Sequence, residues 1–190
     1  FTWNNFANFA RAFGDEEVHK AVQVTAIFVI AAVATEIVLG LVLAWLFNRQ
    51  ILGRPVLRSI MVLPIFATPI AVGYLFFTIF YEIGGPLEFL GIPWLSNPHW
   101  ALVSVILVDI WQWTPFCFLV FLAALQGIPD ELIESALLET SSEWDLWRHV
   151  VLPLLLPVIV IVLLLRLAET YEIDVRAFAA MLVAAMALRR

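Results

Sequence analysis

The chain has 190 residues, of which 63% are hydrophobic and 14% are charged, and its formal net charge is −6. Soluble domains are closer to half apolar and a quarter charged, so this composition, laid out in long apolar blocks, indicates an integral membrane protein. The acidic balance gives no support for nucleic-acid binding, because no basic stripe is present to release counterions from phosphates. The single cysteine, Cys117, excludes an intrachain disulfide and suggests no metal site.

Four apolar blocks predict membrane-spanning helices. Roughly 20 residues of helix, at about 1.5 Å each, cross a hydrocarbon layer about 30 Å thick. After the last block the charges of 168–176 suggest an outer loop, and 177–188 is a short apolar piece, either a truncated span, a re-entrant piece or an interfacial helix. The chain opens at Phe1 without a signal-peptide pattern, which indicates a fragment or a processed piece. The predicted spans are approximately 21–47, 59–81, 101–126 and 151–167.

The segment between the first two spans predicts the orientation of the chain in the membrane. It contains Arg49, Arg54 and Arg58 and no acid, and loops enriched in arginine and lysine remain on the cytoplasmic side. Counting crossings from this loop places the polar segment 128–150 on the cytoplasmic side as well. The intervening segment 82–100 is rich in glycine and proline, lacks Lys and Arg, and is predicted to be an outer loop.

Three charged residues fall within or beside the predicted spans. Glu36 is the only charge of the first span, and at that depth it is either functional or satisfied by a partner on another helix. Asp109 lies in the third span at a depth that suggests a pair with Arg166. Arg166 itself lies near the outer end of the fourth span, where its long side chain can reach the membrane surface.

Prolines and aromatic residues predict a solute path near the second and third spans. Pro64, Pro69 and Pro115 each remove a backbone donor and are predicted to kink their helices. Transporters often place such breaks beside the substrate, although a kink can also serve packing alone. Tryptophan and glutamine at depth offer stacking faces and hydrogen bonds that suit a sugar, or they simply pack. The candidate path residues are Trp111, Gln112, Trp113, Phe116, Asp109 and Glu36.

The polar segment 128–150 predicts an amphipathic helical hairpin on the cytoplasmic face. Pro129 suits the first turn of a helix, with acidic residues following at its positive end. The run 140–142 breaks this helix, and Ser142 with Asp145 resembles a capping box that opens a second short helix towards Val150.

This segment resembles the EAA loop of permease subunits of binding-protein-dependent ABC importers. In that family the loop reads Glu-Ala-Ala, three residues, Gly, nine residues, Ile, one residue and Leu-Pro. The chain departs from this pattern at Ser135 and at Thr140, where glycine would allow a positive φ that Thr adopts poorly. The flanking run 109–116 is also similar to the sugar-permease branch. The matching positions, found without a gap, are Glu134, Ser135, Ala136, Thr140, Val150, Leu152 and Pro153.

The resemblance implies an all-α, polytopic membrane helix bundle of the type I ABC importer permease kind, with a cytoplasmic coupling helix. It implies a single permease domain over 1–190, with fewer spans than the family usually has, in the inner membrane of a bacterial or archaeal cell. The substrate would be a sugar or related polyol. The implied partners are a cytoplasmic ATP-binding subunit carrying ATP and Mg²⁺, a second permease subunit, an extracytoplasmic solute-binding protein and membrane lipid. The chain itself is expected to bind no cofactor, because it lacks a G-x-x-x-x-G-K-[ST] loop.

Two other classes of protein fit the residues less well. A secondary transporter or channel would use Glu36 or Asp109 as a proton or ion site and would need no ATPase. A membrane enzyme would need a catalytic cluster, but His19, His99 and His149 lie in three different loops. An importer permease without enzymatic activity is therefore the preferred interpretation.

Overall fold

The computed structural model describes residues 13–49, 53–139 and 142–187, with side chains described up to residue 170. Within these ranges the structure is helical and contains no strand, which confirms the predicted all-α fold. Two 3₁₀ turns, Leu63–Phe66 and Glu88–Leu90, and one π turn, Trp147–Val151, join or extend the α-helices. The α-helices are α1 Glu16–Asn48, α2 Arg54–Val62, α3 Pro69–Ile79, α4 Pro98–Gln126, α5 Asp130–Glu139, α6 Glu143–Leu146 and α7 Leu152–Ala187.

Helix α1 packs along α4 through a close approach at Gly40. A Cβ atom on this glycine would lie 2.6 Å from Cβ of Cys117 and 3.0 Å from the backbone nitrogen of Phe118. Small residues allow membrane helices to approach backbone to backbone, where dispersion contacts replace the absent hydrophobic effect. Two turns further along α1, the ring of Phe47 packs edge-on against Phe118 with centroids 5.1 Å apart. Glycine at this position therefore sets the spacing of the two helices.

The segment between α1 and α4 is a broken helix bent by 101°. Its length and composition fit either a broken span or a re-entrant loop. Glu36 and Asp109 bind the same guanidinium, and further along both helices Gly40 lies against Cys117. Helices α1 and α4 therefore run parallel, so the chain must return across the membrane between them. The bent pair therefore supplies one crossing. The predicted interruption of the second span at Pro64 and Pro69 is confirmed, but the helical segment begins at Arg54 rather than at residue 59.

The break coincides with the two prolines of this segment. Pro64 lies in the 3₁₀ turn and Pro69 is the first residue of α3, so neither can donate the backbone bond that a continuous helix requires. The side chain of Gln112 donates from Nε2 to the carbonyl oxygen of Ala67 over 3.4 Å. Non-helical backbone at membrane depth is tolerated where neighbouring groups bond its polar atoms, as here.

The outer loop between α3 and α4 is organised by the carboxylate of Glu82. It accepts hydrogen bonds from the backbone nitrogens of Leu95 and Ser96, at 2.8 and 2.7 Å, and from the Ser96 hydroxyl at 2.8 Å. Trp94 of this loop is buried between Phe80 and Trp100, with ring centroids 5.2 and 5.6 Å away.

The second half of the predicted cytoplasmic hairpin differs from expectation. The backbone nitrogen of Asp145 donates to the Ser142 hydroxyl at 3.2 Å, so the predicted cap is confirmed. However, α6 does not form a separate short helix, because the π turn joins it directly to α7. Pro153 explains the π turn: its ring would clash with the carbonyl of His149 in a regular helix, and a wider turn relieves that clash. We call the continuous run 143–187 the last helix.

The predicted outer loop after the fourth span is also wrong. Helix α7 continues through residues 168–176 and ends only at Ala187. No glycine or proline occurs in 168–187, so no residue there terminates a helix. Charged side chains alone do not end a helix.

Candidate functional site

An arginine of the last helix reaches between α1 and α4 and binds a glutamate there. Arg166 donates from Nε to Oε2 of Glu36 at 2.7 Å and from Nη2 to Oε1 at 3.0 Å. The two side chains are 1% and 0% exposed. This is the bidentate geometry that gives the strongest guanidinium–carboxylate pairing.

Two further carboxylates complete the cluster around the same guanidinium. Nη2 of Arg166 donates to Oδ2 of Asp109 at 3.1 Å, and Nη1 donates to Oε2 of Glu169 at 3.4 Å. Asp109 is 5% exposed and Glu169 is 43% exposed, so Glu169 marks the edge of the cluster. The predicted Asp109–Arg166 pair is confirmed. The expectation that Arg166 extends to the membrane surface is wrong, because buried carboxylates bind it inside the bundle.

Trp113 covers one face of this guanidinium. The guanidinium carbon lies 4.5 Å from the indole centroid, a cation–π contact that is stronger when water is excluded. Phe116 packs edge-on against the same indole at 6.2 Å. We name Glu36, Asp109, Trp113 and Arg166 the charge cluster. The charge cluster joins α1, α4 and the last helix. Because Arg166 binds both Glu36 and Asp109, a secondary transporter or channel that uses either acid as a proton or ion site is less well supported.

The structure separates the predicted path residues into two places around α4. Glu36, Asp109, Trp113 and Phe116 belong to the charge cluster or pack on it. Trp111 is 40% exposed and packs against Phe76 of α3 at 5.1 Å, and Gln112 caps the broken helix. Pro115 is buried within α4, which remains helical on both sides of it. Their role in a solute path stays a prediction.

Helix α5 presents one packed side and one open side. Ile133 and Ala136 pack against the buried core, whereas Leu132, Leu137 and Leu138 are 47%, 50% and 90% exposed. Exposed apolar residues on an amphipathic helix indicate a surface for a partner.

The residues of the EAA-like pattern lie on this helix and on the last helix. Glu134 and Ser135 are exposed, and the Ser135 hydroxyl donates to the Leu132 carbonyl at 3.1 Å. Val150 lies in the π turn, and Leu152 and Pro153 begin α7. Thr140 falls outside the described residues.

An ion pair joins the cytoplasmic end of α1 to the start of the last helix. Arg49 donates from Nη2 to Oε2 of Glu143. The Arg49 guanidinium also lies 4.5 Å from the Trp45 ring, which packs edge-on against Trp147 at 6.3 Å. These contacts place the arginine-rich loop and the EAA-like segment on the same side of the membrane. Sequence reasoning missed the pair, because exposed charges 94 positions apart carry no signal of contact.

Residues 36–171 match the family of binding-protein-dependent transport system inner membrane components. The chain belongs to this family. The match begins at Glu36, within α1, and includes the charge cluster and the EAA-like segment. It therefore covers the second half of α1, the bent pair, α4, α5 and the last helix up to residue 171.

Two curated family members illustrate the relationship. A probable ABC transporter permease of Sinorhizobium fredii is 36% identical over 168 residues, which cover 84% of this chain and 54% of that protein. The trehalose/maltose transport system permease MalF of Thermococcus litoralis is 32% identical over 174 residues, 87% of this chain and 59% of that protein. The chain thus spans little more than half the length of these relatives.

Solved structures give the same architecture for this family member. A crystal structure of a bacterial ABC transporter involved in import of the acidic polysaccharide alginate contains a chain that is 25% identical, with a TM-score of 0.79. The alignment covers 92% of this chain and 64% of that one. A second structure, of an alginate ABC transporter with a pentasaccharide-bound periplasmic protein, aligns with a TM-score of 0.78. The inner-membrane, multi-pass location is therefore confirmed.

Proposed function

We propose that the chain is a membrane-spanning subunit of an ATP-driven importer that moves a sugar or related polyol. The relative from Thermococcus litoralis is named for trehalose and maltose, and the solved transporters are named for alginate. All of these names refer to carbohydrates, which supports the predicted substrate class. An external binding protein would deliver the solute to the side of the outer loop.

The open side of α5 is the single observation that carries the coupling proposal. A short amphipathic helix exposes Leu137, Leu138 and Glu134 on the cytoplasmic side, directly between two membrane crossings. A cytoplasmic ATP-binding subunit that holds this helix could transmit a rigid-body movement to both crossings. ATP and Mg²⁺ would be bound by that subunit.

A second permease subunit would complete the translocation unit. Several apolar side chains of α1 are exposed in this chain, and they would contact lipid or another subunit in the membrane. The exposed apolar residues of α1 include Val22, Ile27, Ile30, Val38 and Val42.

Reversing the charge of Glu134 should release the ATP-binding subunit. We expect the Glu134→Lys chain to insert normally but to retain about tenfold less ATPase on co-purification. The substitution would replace a charge-assisted contact between Glu134 and a basic group of the ATP-binding subunit by repulsion between two cations, which costs roughly 1.4 kcal/mol or more. The measurement is the ratio of the two subunits after affinity purification from membranes that express both.

Glu16→Lys provides the matched control. It makes the same charge change at a side chain that is 92% exposed, at the opposite end of α1 from the cytoplasmic side. The control chain should retain the ATPase as the parent does. Equal retention by the parent, the control and Glu134→Lys would contradict docking through α5, and failure of the parent to retain any ATPase would contradict the importer proposal itself.

A further inference from the structure

Two ion pairs attach α1 to the last helix at different depths. Near the cytoplasm, Arg49 of α1 binds Glu143. Inside the membrane, Glu36 of α1 binds Arg166. The polarity is reversed between the two: α1 supplies the cation in one pair and the anion in the other. Each attachment is reinforced by an aromatic ring on its guanidinium, Trp45 in the first pair and Trp113 in the second.

The spacing of the two pairs decides what they can do mechanically. Glu36 and Arg49 are separated by about 20 Å along α1, at ~1.5 Å per residue. A single attachment would leave α1 free to pivot about it, whereas two attachments this far apart fix both the position and the tilt of α1 relative to the last helix. The Glu36–Arg166 pair is buried and bidentate, whereas the Arg49–Glu143 pair is exposed and has one bond, so the first is the stronger attachment and the second the weaker one.

The attachments matter because α1 has no covalent connection to the coupling helix. Helix α5 leads directly into α4 on one side and, through residues 140–142, into the last helix on the other. Arg49 of α1 and Glu143 of the last helix are 94 positions apart in the sequence, although their side chains are in contact. Apart from the two pairs, a movement of α5 would reach α1 through its packing on α4 and through the edge-on contact of Trp45 with Trp147.

We propose that α1 and the last helix move as one rigid body, with Arg49 and Arg166 as the positioning residues that carry the coupling movement to α1. This inference rests on the proposed importer function. A rigid connection converts movement of the ATP-binding subunit into movement of three crossings, because α4 is also held in the charge cluster through Asp109. Loss of one attachment would leave ATP hydrolysis running while transport falls.

A charge-swap cycle on the exposed pair tests this inference. The variants are Arg49→Glu, Glu143→Arg and the double exchange, each reconstituted with the ATP-binding subunit, the second permease and the binding protein. We expect each single variant to retain the ATPase but to transport about fivefold less solute per ATP hydrolysed, and the double exchange to return within about twofold of the parent. A merely structural role would lower both activities together.

Arg58→Glu is the control for the charge change on the cytoplasmic side. Arg58 is exposed on α2 and forms no ion pair among the side chains that the structure describes. Its variant should keep the parental ratio of transport to hydrolysis. Two outcomes would overturn the rigid-body inference while the parent retains its ATPase. In the first, the double exchange transports as little solute per ATP hydrolysed as the single variants. In the second, Arg58→Glu lowers this ratio as much as they do. If the parent retains none, the importer proposal is overturned.

Distances between spin labels give a second, direct readout. Labels at Leu46 of α1 and Leu154 of the last helix would occupy exposed positions, in a chain whose buried Cys117 is replaced by alanine. In the assembled transporter, the distance distribution between the labels should be the same with and without ATP. Arg49→Glu should broaden it in the presence of ATP. A parental distance that changes with ATP would overturn the inference.

Discussion

Replacing Arg166 with methionine should lower the free energy of unfolding by about 3–5 kcal/mol, the largest effect expected of any single substitution in this chain. The change preserves apolar volume but leaves Glu36 and Asp109 buried without their cation. Removing one partner of a buried ion pair costs much more than removing both, since the remaining charge can neither hydrate nor pair. The effect should appear as a lower midpoint of thermal or denaturant unfolding in detergent.

A second substitution separates loss of the ion pair from loss of packing. Adding Glu36→Gln to Arg166→Met removes one of the stranded charges, so the double variant should be more stable than Arg166→Met alone. Arg58→Met, at an exposed position, should leave the midpoint nearly unchanged. The contrary outcome is that Glu36→Gln destabilises the Arg166→Met chain as much as it destabilises the parent. The two residues would then contribute independently to stability, and the Glu36–Arg166 ion pair would not be the cause of the effect.

Replacing Gly40 with valine should separate α1 from α4 and cost about 3 kcal/mol of stability, the upper end of the range typical of overpacking. The added Cβ would lie 2.6 Å from Cβ of Cys117 and 3.0 Å from the backbone nitrogen of Phe118. A backbone atom cannot rotate away as a long side chain can, so the helices themselves must move. The same displacement would stretch the Glu36 bonds one turn away.

Gly73→Val is the matched control for Gly40→Val. Gly73 also lies in a helix, α3, but a Cβ added there meets no atom within 4 Å. Both variants introduce the same β-branched side chain, so differences in helix propensity cancel. The unfolding midpoint of the Gly40 variant should fall well below that of the Gly73 variant. Equal midpoints would show that the close approach of α1 to α4 does not limit stability.

The parts of the fold that were predictable follow from local patterns. Long apolar runs defined α1 and α4, and the two prolines marked the break between α2 and α3. The pair of Asp109 with Arg166 was predicted from depth alone, since buried charges in membranes need partners. The spacing of the EAA-like pattern identified the family, because it combines seven positions over one short segment.

The remaining features depend on where helices meet, which no single sequence records. Arg166 lies near the end of a predicted span, and such residues often reach the membrane surface. Its burial could be predicted only from the positions of the acids of α1 and α4 that lie at the same depth. The continuity of the last helix depends on how a π turn accommodates Pro153, and local rules treat proline as a break. The 101° bend fixes the direction of two helices and has no sequence signature.

The bond between Glu36 and Arg166 also constrains how the protein is made. The two residues are 130 positions apart in the chain. At a synthesis rate of about 5–20 residues per second, roughly 7–26 seconds pass between their emergence from the ribosome. During that interval the Glu36 side chain enters the bilayer before its guanidinium exists, so it needs water, another polar group or the insertion machinery as a partner. Final assembly of the bundle therefore waits for the last helix, and a nascent chain stopped before residue 166 should remain associated with the machinery that inserts it.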